Sequence, residues 1–213
     1  MLFRSDEALD RAAEAFLATT RTHGAESVWP YYYAGTMGLV HRDGINRLRH
    51  ELKYSRQINT ICTRTCESGW TAGVGRIAGP DPREMAVSDL IIMWGGNPVN
   101  TQVNVMTHIA RARHERGAKL VVIDPYRTGT AKVADTHLAI RPGTDAALAC
   151  AVMHVAFRDG FADHTYMYKY ADDPAALEAH LAPRSPQWAS EITGLSVSEI
   201  EAFAKLYCTT PRA

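Results

Sequence analysis

The sequence predicts an α/β fold, a Rossmann-like parallel sheet with flanking helices. The main observation is a strand, helix and strand in succession: the apolar runs Leu90–Trp94 and Leu120–Asp124 enclose a helical stretch, Asn100–Arg116. Short runs that are apolar throughout are typical of strands buried on both faces, and the helix supplies the crossover that parallel strands need. A third short run at Leu138–Ile140, followed by a helical pattern from Thr144, repeats the unit.

Composition and charge are those of an ordinary globular protein and exclude several kinds of partner. Lys plus Arg number 23 and Asp plus Glu also 23 in 213 residues, so no net positive charge favours a nucleic acid. The longest apolar run, Ala146–Met153, is far below the roughly 18 residues of a membrane span. The N-terminal stretch is too acidic for a signal peptide, and four cysteines are too few for a disulfide framework. We therefore expect a soluble, cytoplasmic chain.

The N-terminal part predicts two helices separated by a strand and a loop. Ser5 is a candidate N-cap for an amphipathic helix that ends at Gly24. The apolar run Val28–Tyr33 predicts a strand that leads into the small-residue loop Gly35–Gly38. A second amphipathic helix is expected over Asp43–Tyr54.

Beyond Asp159 the pattern indicates short helices that begin at prolines. The dipeptides Asp173-Pro174 and Ser185-Pro186 are typical of helix starts, because proline tolerates the first helical position. Ser196 and Glu199 have the spacing of a capping box at the start of a last helix. This helical part is expected to extend the same lobe as the sheet.

The residues that follow the predicted strand Leu90–Trp94 are suited to bind a nucleotide. Ligands of doubly wound sheets lie beyond the carboxyl ends of the strands. Gly95 and Gly96 lack Cβ atoms, so backbone N–H groups there can approach a phosphate. Asn97 is a further candidate in the same loop, and Asn100 and Thr101 are candidates at the start of the next helix. The alternative is an ordinary Asn-Pro turn with a helix cap. The predicted strand before the loop favours a binding site over an ordinary turn.

Two further loops carry candidate binding residues. Asp124 and Pro125 end the second run, where a carboxylate can accept hydrogen bonds from ribose hydroxyls or a base edge; an exposed turn aspartate is the alternative. The segment after the third strand offers a cation, a flexible glycine and a capping threonine at a helix N-terminus. Its candidates are Arg141, Gly143, Thr144 and Asp145. By itself this segment is equally compatible with an ordinary capped helix.

Cys66 is the cysteine best placed for chemistry. It lies near Arg64 and among small polar residues, whereas Cys150 lies in an apolar helical stretch. Cys62 is four residues earlier, but no second pair or nearby histidine completes a zinc site. A buried, inert thiol is the alternative.

These segments in this order resemble the dimethyl sulfoxide reductase family of molybdopterin oxidoreductases, over essentially the whole chain. The resemblance is carried by DLIIMWGGNPVNTQ at residues 89–102 and GAKLVVIDPYRTGTAKVADTHLAIRPGTDAALACAVMHV at residues 117–155. In this family such segments bind the guanine end of molybdopterin guanine dinucleotide. The resemblance implies that Asp124 and Pro125 hold the ribose or guanine, and that the segment Arg141–Asp145 holds the remaining edge. The residues implied to hold the phosphate and nucleotide are Gly95, Gly96, Asn97, Asn100 and Thr101.

The resemblance also implies a metal ligand. Family members place a cysteine, selenocysteine or serine on the molybdenum in a stretch similar to Thr63–Gly69. Cys66 is therefore the candidate catalytic residue and the candidate metal ligand, since a thiolate suits soft coordination beside pterin dithiolenes. Glu67 stands where formate dehydrogenases carry a histidine, which argues against formate as the substrate.

The resemblance implies a part of a larger, multi-lobed molybdenum enzyme. Residues 1–60 would form part of one cofactor-binding lobe, and residues 61–213 the dinucleotide-fold lobe with its helical C-terminal part. The expected cofactor is bis-molybdopterin guanine dinucleotide with molybdenum or tungsten. An iron–sulfur cluster is expected only in an N-terminal segment absent from this chain. The expected partners are a small-molecule redox substrate and an electron-transfer subunit or further domains. The predicted activity is two-electron redox chemistry at the metal.

Two other functions fit parts of the sequence. A non-catalytic guanine-nucleotide or pterin-binding module would use the same loops without redox activity. A nicotinamide-dependent dehydrogenase would use the same strand and helix unit, but no paired proton donor is evident. The only glycine fingerprint, G-x-G-x-x-A at Gly73–Ala78, lacks a preceding strand, so it does not predict a dinucleotide site.

Overall fold

A computed structural model describes residues 4–31, 44–57 and 63–213. The chain divides into two compact units, Met1–Ala78 and Gly79–Ala213. No helix within the described ranges combines the length and the apolar character needed to cross a bilayer.

The described part of the first unit is helical. Its helices are α1 Ser5–His23, α2 Gly44–Leu52 and α3 Arg64–Val74, with a 3-10 turn at Ala25–Ser27 after α1. Gly24 ends α1 at a φ of 87°, as predicted. The ring of Phe16 meets that of Tyr54 edge to face, with centroids 6.0 Å apart, and so ties the apolar side of α1 to the end of α2.

Two predictions for this unit are wrong where the structure describes it. Ser5 is already helical, and Arg4 occupies the N-cap position without a side-chain bond, so Ser5 does not cap α1. Residues 28–31 of the predicted strand Val28–Tyr33 form no strand, because Val28 instead closes the 3-10 turn and accepts the backbone N–H of Ser55. The rest of that run and the loop Gly35–Gly38 lie outside the described residues.

The second unit contains a three-stranded parallel sheet and its flanking helices. Its elements are β1 Leu90–Trp94, α4 Pro98–Thr101, α5 Val103–Arg116, β2 Lys119–Ile123, α6 Gly129–Lys132, β3 Thr136–Leu138, α7 Asp145–Arg158, α8 His164–Tyr170, α9 Pro174–Leu181, α10 Pro186–Thr193 and α11 Val197–Thr209. The strand order is β1-β2-β3, with Leu90 opposite Lys119 and Ile123 opposite Leu138. The predicted α/β class with a Rossmann-like parallel sheet is confirmed.

The strands are apolar throughout because each face of the sheet packs on a different helical layer. One core lies against α7, α10 and α11, and the other against α5 and α6. Side chains in the first core include Leu90, Val121, Ile123 and Leu138, and those in the second include Ile91, Leu120 and Val122. Each fully buried side chain of this kind stabilises the fold by roughly 1.5–3 kcal/mol.

Some boundaries differ from the prediction for identifiable reasons. The predicted helix Asn100–Arg116 is interrupted at Gln102, whose φ of −132° and ψ of 59° separate α4 from α5. The third strand is Thr136–Leu138 rather than Leu138–Ile140, because pairing with β2 stops where β2 ends. Ile140 is nevertheless 2% exposed and contributes to the core beyond the strand.

The last helix begins with the predicted capping box. The Ser196 hydroxyl accepts the Glu199 backbone N–H, and the Glu199 carboxylate accepts the Ser196 N–H at 2.8 Å. The Ser196 hydroxyl also donates to the Glu199 carboxylate at 2.7 Å. This bond, and to a smaller extent the one from the Ser196 N–H, holds the pKa of Glu199 below its ordinary value. The predicted starts at Pro174 and Pro186 are likewise confirmed, with Asp173 and Ser185 as side-chain caps.

An ion cluster fixes the amino end of β1. The carboxylate of Asp89 accepts Arg116 Nη2 at 2.6 Å and Arg212 Nε at 2.8 Å. The Arg212 carbonyl in turn accepts the backbone N–H groups of Asp89 and Leu90. The hydrogen bond from Arg212, and to a smaller extent the one from Arg116, holds the pKa of Asp89 below its ordinary value.

Candidate functional site

Hydrogen bonds join the carboxyl ends of the three strands at one edge of the sheet. Gly95 N–H donates to the Ile123 carbonyl at 2.9 Å, and Asp124 N–H donates to the Leu138 carbonyl at 3.2 Å. The segments that follow β1, β2 and β3 therefore begin side by side. This is the edge at which parallel α/β sheets bind ligands.

The loop after β1 is open above its first glycine. Gly95 has a φ of 66°, and apart from its chain neighbours no heavy atom of the described residues lies within 4 Å of the position a Cβ would take. Gly96 is more enclosed, since a Cβ there would lie 3.2 Å from Met93 Cε. The backbone conformation thus favours glycine at 95, and the main chain at this exposed residue is accessible to a ligand.

The polar residues of this loop divide into inward and outward groups. Asn97 is half-buried, and its Oδ1 accepts the Thr130 hydroxyl at 2.8 Å and the Thr130 N–H at 3.3 Å. Asn100 and Thr101 are exposed in the short helix α4 that follows the loop. The Thr101 hydroxyl donates to the Asn97 carbonyl at 2.9 Å.

Asp124 begins the loop after β2 and orders it. Its Oδ1 accepts the Tyr126 N–H at 2.8 Å, which forms a turn over the exposed Pro125. Its carbonyl accepts a hydrogen bond from His137 Nε2 at 2.8 Å. The carboxylate is half-buried at the sheet edge, so it is both fixed by the turn and partly open to solvent.

The segment from Arg141 to Asp145 is held from two sides. The Arg141 guanidinium donates to the carbonyls of Glu191 and Ile192 at the C-terminus of α10, at 2.8 and 3.3 Å. Gly143 turns the chain with a φ of 78°. The Arg141 charge is therefore directed at a helix end within the fold.

The start of α7 differs from the prediction in its cap. The Thr144 hydroxyl donates to the Arg141 carbonyl at 2.6 Å and makes no side-chain cap, so the predicted capping role is wrong. Thr144 has a φ of −107° and a ψ of 12°, outside the extended conformation typical of an N-cap. Asp145 is exposed at the first helical position, where its Oδ1 accepts the indole N–H of Trp94 at 2.7 Å.

Cys66 belongs to the other unit, in the first turn of α3, and its side chain is exposed. The Glu67 carboxylate accepts the Thr63 hydroxyl at 2.8 Å and Arg64 Nη1 at 3.1 Å, which fixes the helix start around the thiol. No cluster of three or more metal-binding side chains occurs among the residues that the structure describes. Cys62 lies outside them.

The fingerprint at Gly73–Ala78 has no dinucleotide-binding geometry. Gly73 lies in the last turn of α3, and Gly75 is its C-terminal cap with a φ of 79°. Within the described part of this unit no strand leads into it. The structure thus agrees with discounting this motif.

Trp94 and Thr130 are two residues of this edge that the sequence analysis did not identify. Both make side-chain bonds to predicted candidates, Trp94 to Asp145 and Thr130 to Asn97. These contacts join residues 51 and 33 positions apart. A local pattern cannot reveal such pairs, although a threonine among the small residues after a strand is a hint of a buried polar role.

Comparisons with known proteins agree on one family. The model of the molybdopterin oxidoreductase family matches residues 6–177. The chain is 35% identical to the probable oxidoreductase YoaE of Bacillus subtilis, over 96% of this chain and 30% of that protein. It is 29% identical to the putative dimethyl sulfoxide reductase chain YnfE of Escherichia coli, over 94% of this chain and 28% of that protein.

A solved structure has the same fold. Acetylene hydratase from Pelobacter acetylenicus superposes with a TM-score of 0.72 at 23% identity, over 99% of this chain and 29% of that chain. The chain thus spans about 30% of the length of the curated relatives named above. With the family match extending over most of its residues, the chain belongs to the molybdopterin oxidoreductases and is related to members of the dimethyl sulfoxide reductase family.

Proposed function

We propose that this chain binds the guanine-nucleotide end of a molybdopterin guanine dinucleotide in an oxidoreductase that performs two-electron chemistry at molybdenum. The observation that carries the proposal is the meeting of three candidate loops at the carboxyl edge of the sheet, in a chain of this family. Each loop follows a strand and carries residue types suited to a nucleotide, and the hydrogen bonds between strand ends bring all three to one edge.

The residues at this edge fit the chemistry of a guanosine diphosphate group. Gly95 offers accessible main chain and open space where a phosphate would lie. Asp124 and Asp145 offer carboxylate oxygens, which are acceptors for ribose hydroxyls and for the N–H donors of a guanine edge. Arg141 contributes by holding the turn before α7, because its guanidinium donates to α10.

Cys66 is the proposed metal ligand. Its thiol is exposed at the start of α3, and Glu67 holds that start by bonds to Thr63 and Arg64. A thiolate is a soft ligand suited to molybdenum or tungsten beside pterin dithiolenes. When bound, the metal and its two pterins supply the two-electron redox chemistry, and the chain binds and orients them.

The remaining parts of the enzyme are proposed by family likeness. They are a second pterin-binding lobe, a small-molecule redox substrate, and an electron-transfer subunit or domain with any iron–sulfur cluster. Residues 1–60 would belong to one cofactor-binding lobe and residues 61–213 to the dinucleotide-fold lobe. Glu67 at the position after the proposed ligand disfavours formate as the substrate.

The test is a calorimetric titration of the complete 213-residue chain with GDP, ADP and NAD. We expect GDP to bind more tightly than the other two, and Asp124→Ala to weaken GDP binding at least about tenfold through loss of an acceptor. Asp172→Ala replaces another exposed aspartate of the same unit and should leave GDP binding unchanged. Preference for NAD, or equal binding by the Asp124 variant, would contradict the proposal.

A second candidate function is a nucleotide-binding module without catalysis. It is favoured by the location of all the nucleotide candidates in Gly79–Ala213, whereas Cys66 belongs to the other unit. Elemental analysis of the chain purified from molybdate-supplied cells separates the two. Stoichiometric molybdenum that is lost in Cys66→Ala supports the oxidoreductase, and its absence from the wild-type chain supports the module.

A further inference from the structure

Thr130 connects the loops that follow β1 and β2 from inside the protein. Its side chain is 0% exposed. The hydroxyl donates to Asn97 Oδ1 at 2.8 Å and accepts the Val99 N–H at 3.2 Å, and the Thr130 N–H also donates to Asn97 Oδ1, at 3.3 Å. Thr130, the second residue of α6, thus provides hydrogen-bond partners for the Asn97 side chain and for the Val99 main-chain N–H.

The close packing around this contact leaves little room for an alternative arrangement. A Cβ on Gly129 would lie 3.0 Å from Val99 Cγ1, so the start of α6 meets the loop directly. Pro98, which lies between the two residues bonded to Thr130, is buried as well. The Thr130 hydroxyl is wholly buried, so it must find its hydrogen-bond partners within the protein.

Asn97 and Gly95 belong to the same loop but differ in their surroundings. Asn97 Oδ1 is directed to Thr130, whereas Gly95, two residues earlier, has an open main chain. A carboxamide fixed on one side of a loop restrains the backbone on the other side. Thr130 is wholly buried and so cannot touch a ligand itself.

We propose that Thr130 is a positioning residue for the nucleotide site, acting through Asn97 and Val99 to hold the loop at Gly95 and Gly96 in its binding conformation. The inference rests on the proposed function and adds a residue that does not contact the ligand. It also changes the role of Asn97, which serves the site by its bond to Thr130.

The test compares three variants of the complete chain. Thr130→Val keeps the side-chain shape but removes the hydroxyl and both of its hydrogen bonds, to Asn97 and from Val99. We expect it to weaken GDP binding about tenfold, because the loop at Gly95 loses this restraint. Thr130→Ser keeps the hydroxyl and should bind GDP within about twofold of the wild type. Thr210→Val is the matched control, because its half-buried hydroxyl donates to Leu206 at the end of α11, near the amino end of β1.

A double-mutant cycle examines whether Thr130 acts through Asn97. If it does, the double variant Thr130→Val/Asn97→Ala should have the same GDP affinity as the single variant that binds GDP less tightly. Additive losses would contradict this route. A lower melting temperature with unchanged GDP affinity in Thr130→Val, measured well below the transition, would reduce Thr130 to a structural residue and overturn the proposal.

Hydrogen exchange without ligand separates this inference from the proposed function. In Thr130→Val the Val99 amide loses its acceptor and should exchange faster, while Thr130→Ser should retain the wild-type rate. If the wild-type chain binds no GDP, the proposed function fails, and faster exchange at Val99 would still support the restraint of the loop. If GDP binds and Val99 exchanges alike in all variants, the positioning role alone is contradicted.

Discussion

The indole Nε1 of Trp94 donates a 2.7 Å hydrogen bond to Oδ1 of Asp145 and so joins the end of β1 to the first residue of α7. The same indole meets the ring of Phe203 edge to face, with centroids 6.5 Å apart. Trp94 therefore anchors the start of α7 by its N–H group and packs on α11 by its ring. One carboxylate oxygen of Asp145 is fixed by this bond at the edge where we propose that the nucleotide binds.

Trp94→Phe should loosen Asp145 while keeping an aromatic ring against Phe203. We expect a loss of about 1 kcal/mol in the free energy of unfolding, because one charge-assisted hydrogen bond disappears. We also expect GDP binding to weaken about threefold, as Asp145 becomes less ordered. Urea unfolding and calorimetric titration measure the two effects.

Asp145→Asn is the matched control, because an amide oxygen can still accept the indole N–H while the charge is lost. Its stability should change less than that of Trp94→Phe, but its GDP binding should weaken at least as much. Equal GDP affinity in Trp94→Phe and the wild type would exclude a role for the Trp94 contact in the site.

The sequence could predict those features of the fold and site that depend on local pattern. β1 matches its predicted bounds because Leu90 to Trp94 is apolar on both faces and the sheet is covered on both. The contacts of Trp94 with Asp145 and of Thr130 with Asn97 could not be predicted, because they depend on which strand ends become neighbours. The predicted cap at Thr144 was wrong for a second reason: the backbone dihedral angles there, and not the residue type, decide where the hydroxyl points.

Asp89 should make the stability of the chain sensitive to acid. The pKa of this carboxyl is lowered in the folded state by Arg212 and Arg116. A lowered pKa stabilises the fold fully above the unfolded value of about 3.9, and the contribution is lost as the pH falls through the folded value. We therefore expect Asp89→Asn to be less stable than the wild type at pH 7, with the difference shrinking below about pH 4.

The control for this prediction is Asp172→Asn, an exposed aspartate of the same unit. Urea unfolding at pH 7 and pH 3 should give wild-type stability for this variant at both values. The Asp89 prediction fails if Asp89→Asn is as stable as the wild type at pH 7, or if the deficit is the same at pH 3. Either outcome would mean that the negative charge of Asp89 does not stabilise the fold through the two arginines.

Cys66 should be the most readily alkylated of the described cysteines. Its side chain is exposed, whereas Cys150 and Cys208 are half-buried. Burial raises the pKa of the Cys208 thiol, with a smaller contribution from Asp159, so less of it is thiolate at neutral pH. Access and ionisation together predict that iodoacetamide modifies Cys66 at least about tenfold faster than Cys208 in the native chain.

Peptide mass spectrometry measures this order directly, because cleavage at Arg64 places Cys66 and Cys62 on different peptides. Cys66→Ser should remove the fast modification, and Cys208→Ser should leave it unchanged. Unfolding in urea should bring the rates of the two thiols close together, since the difference arises from the fold. Slow labelling of Cys66 in the native chain would mean that its thiol is covered, and a covered thiol could not serve as the metal ligand that we propose.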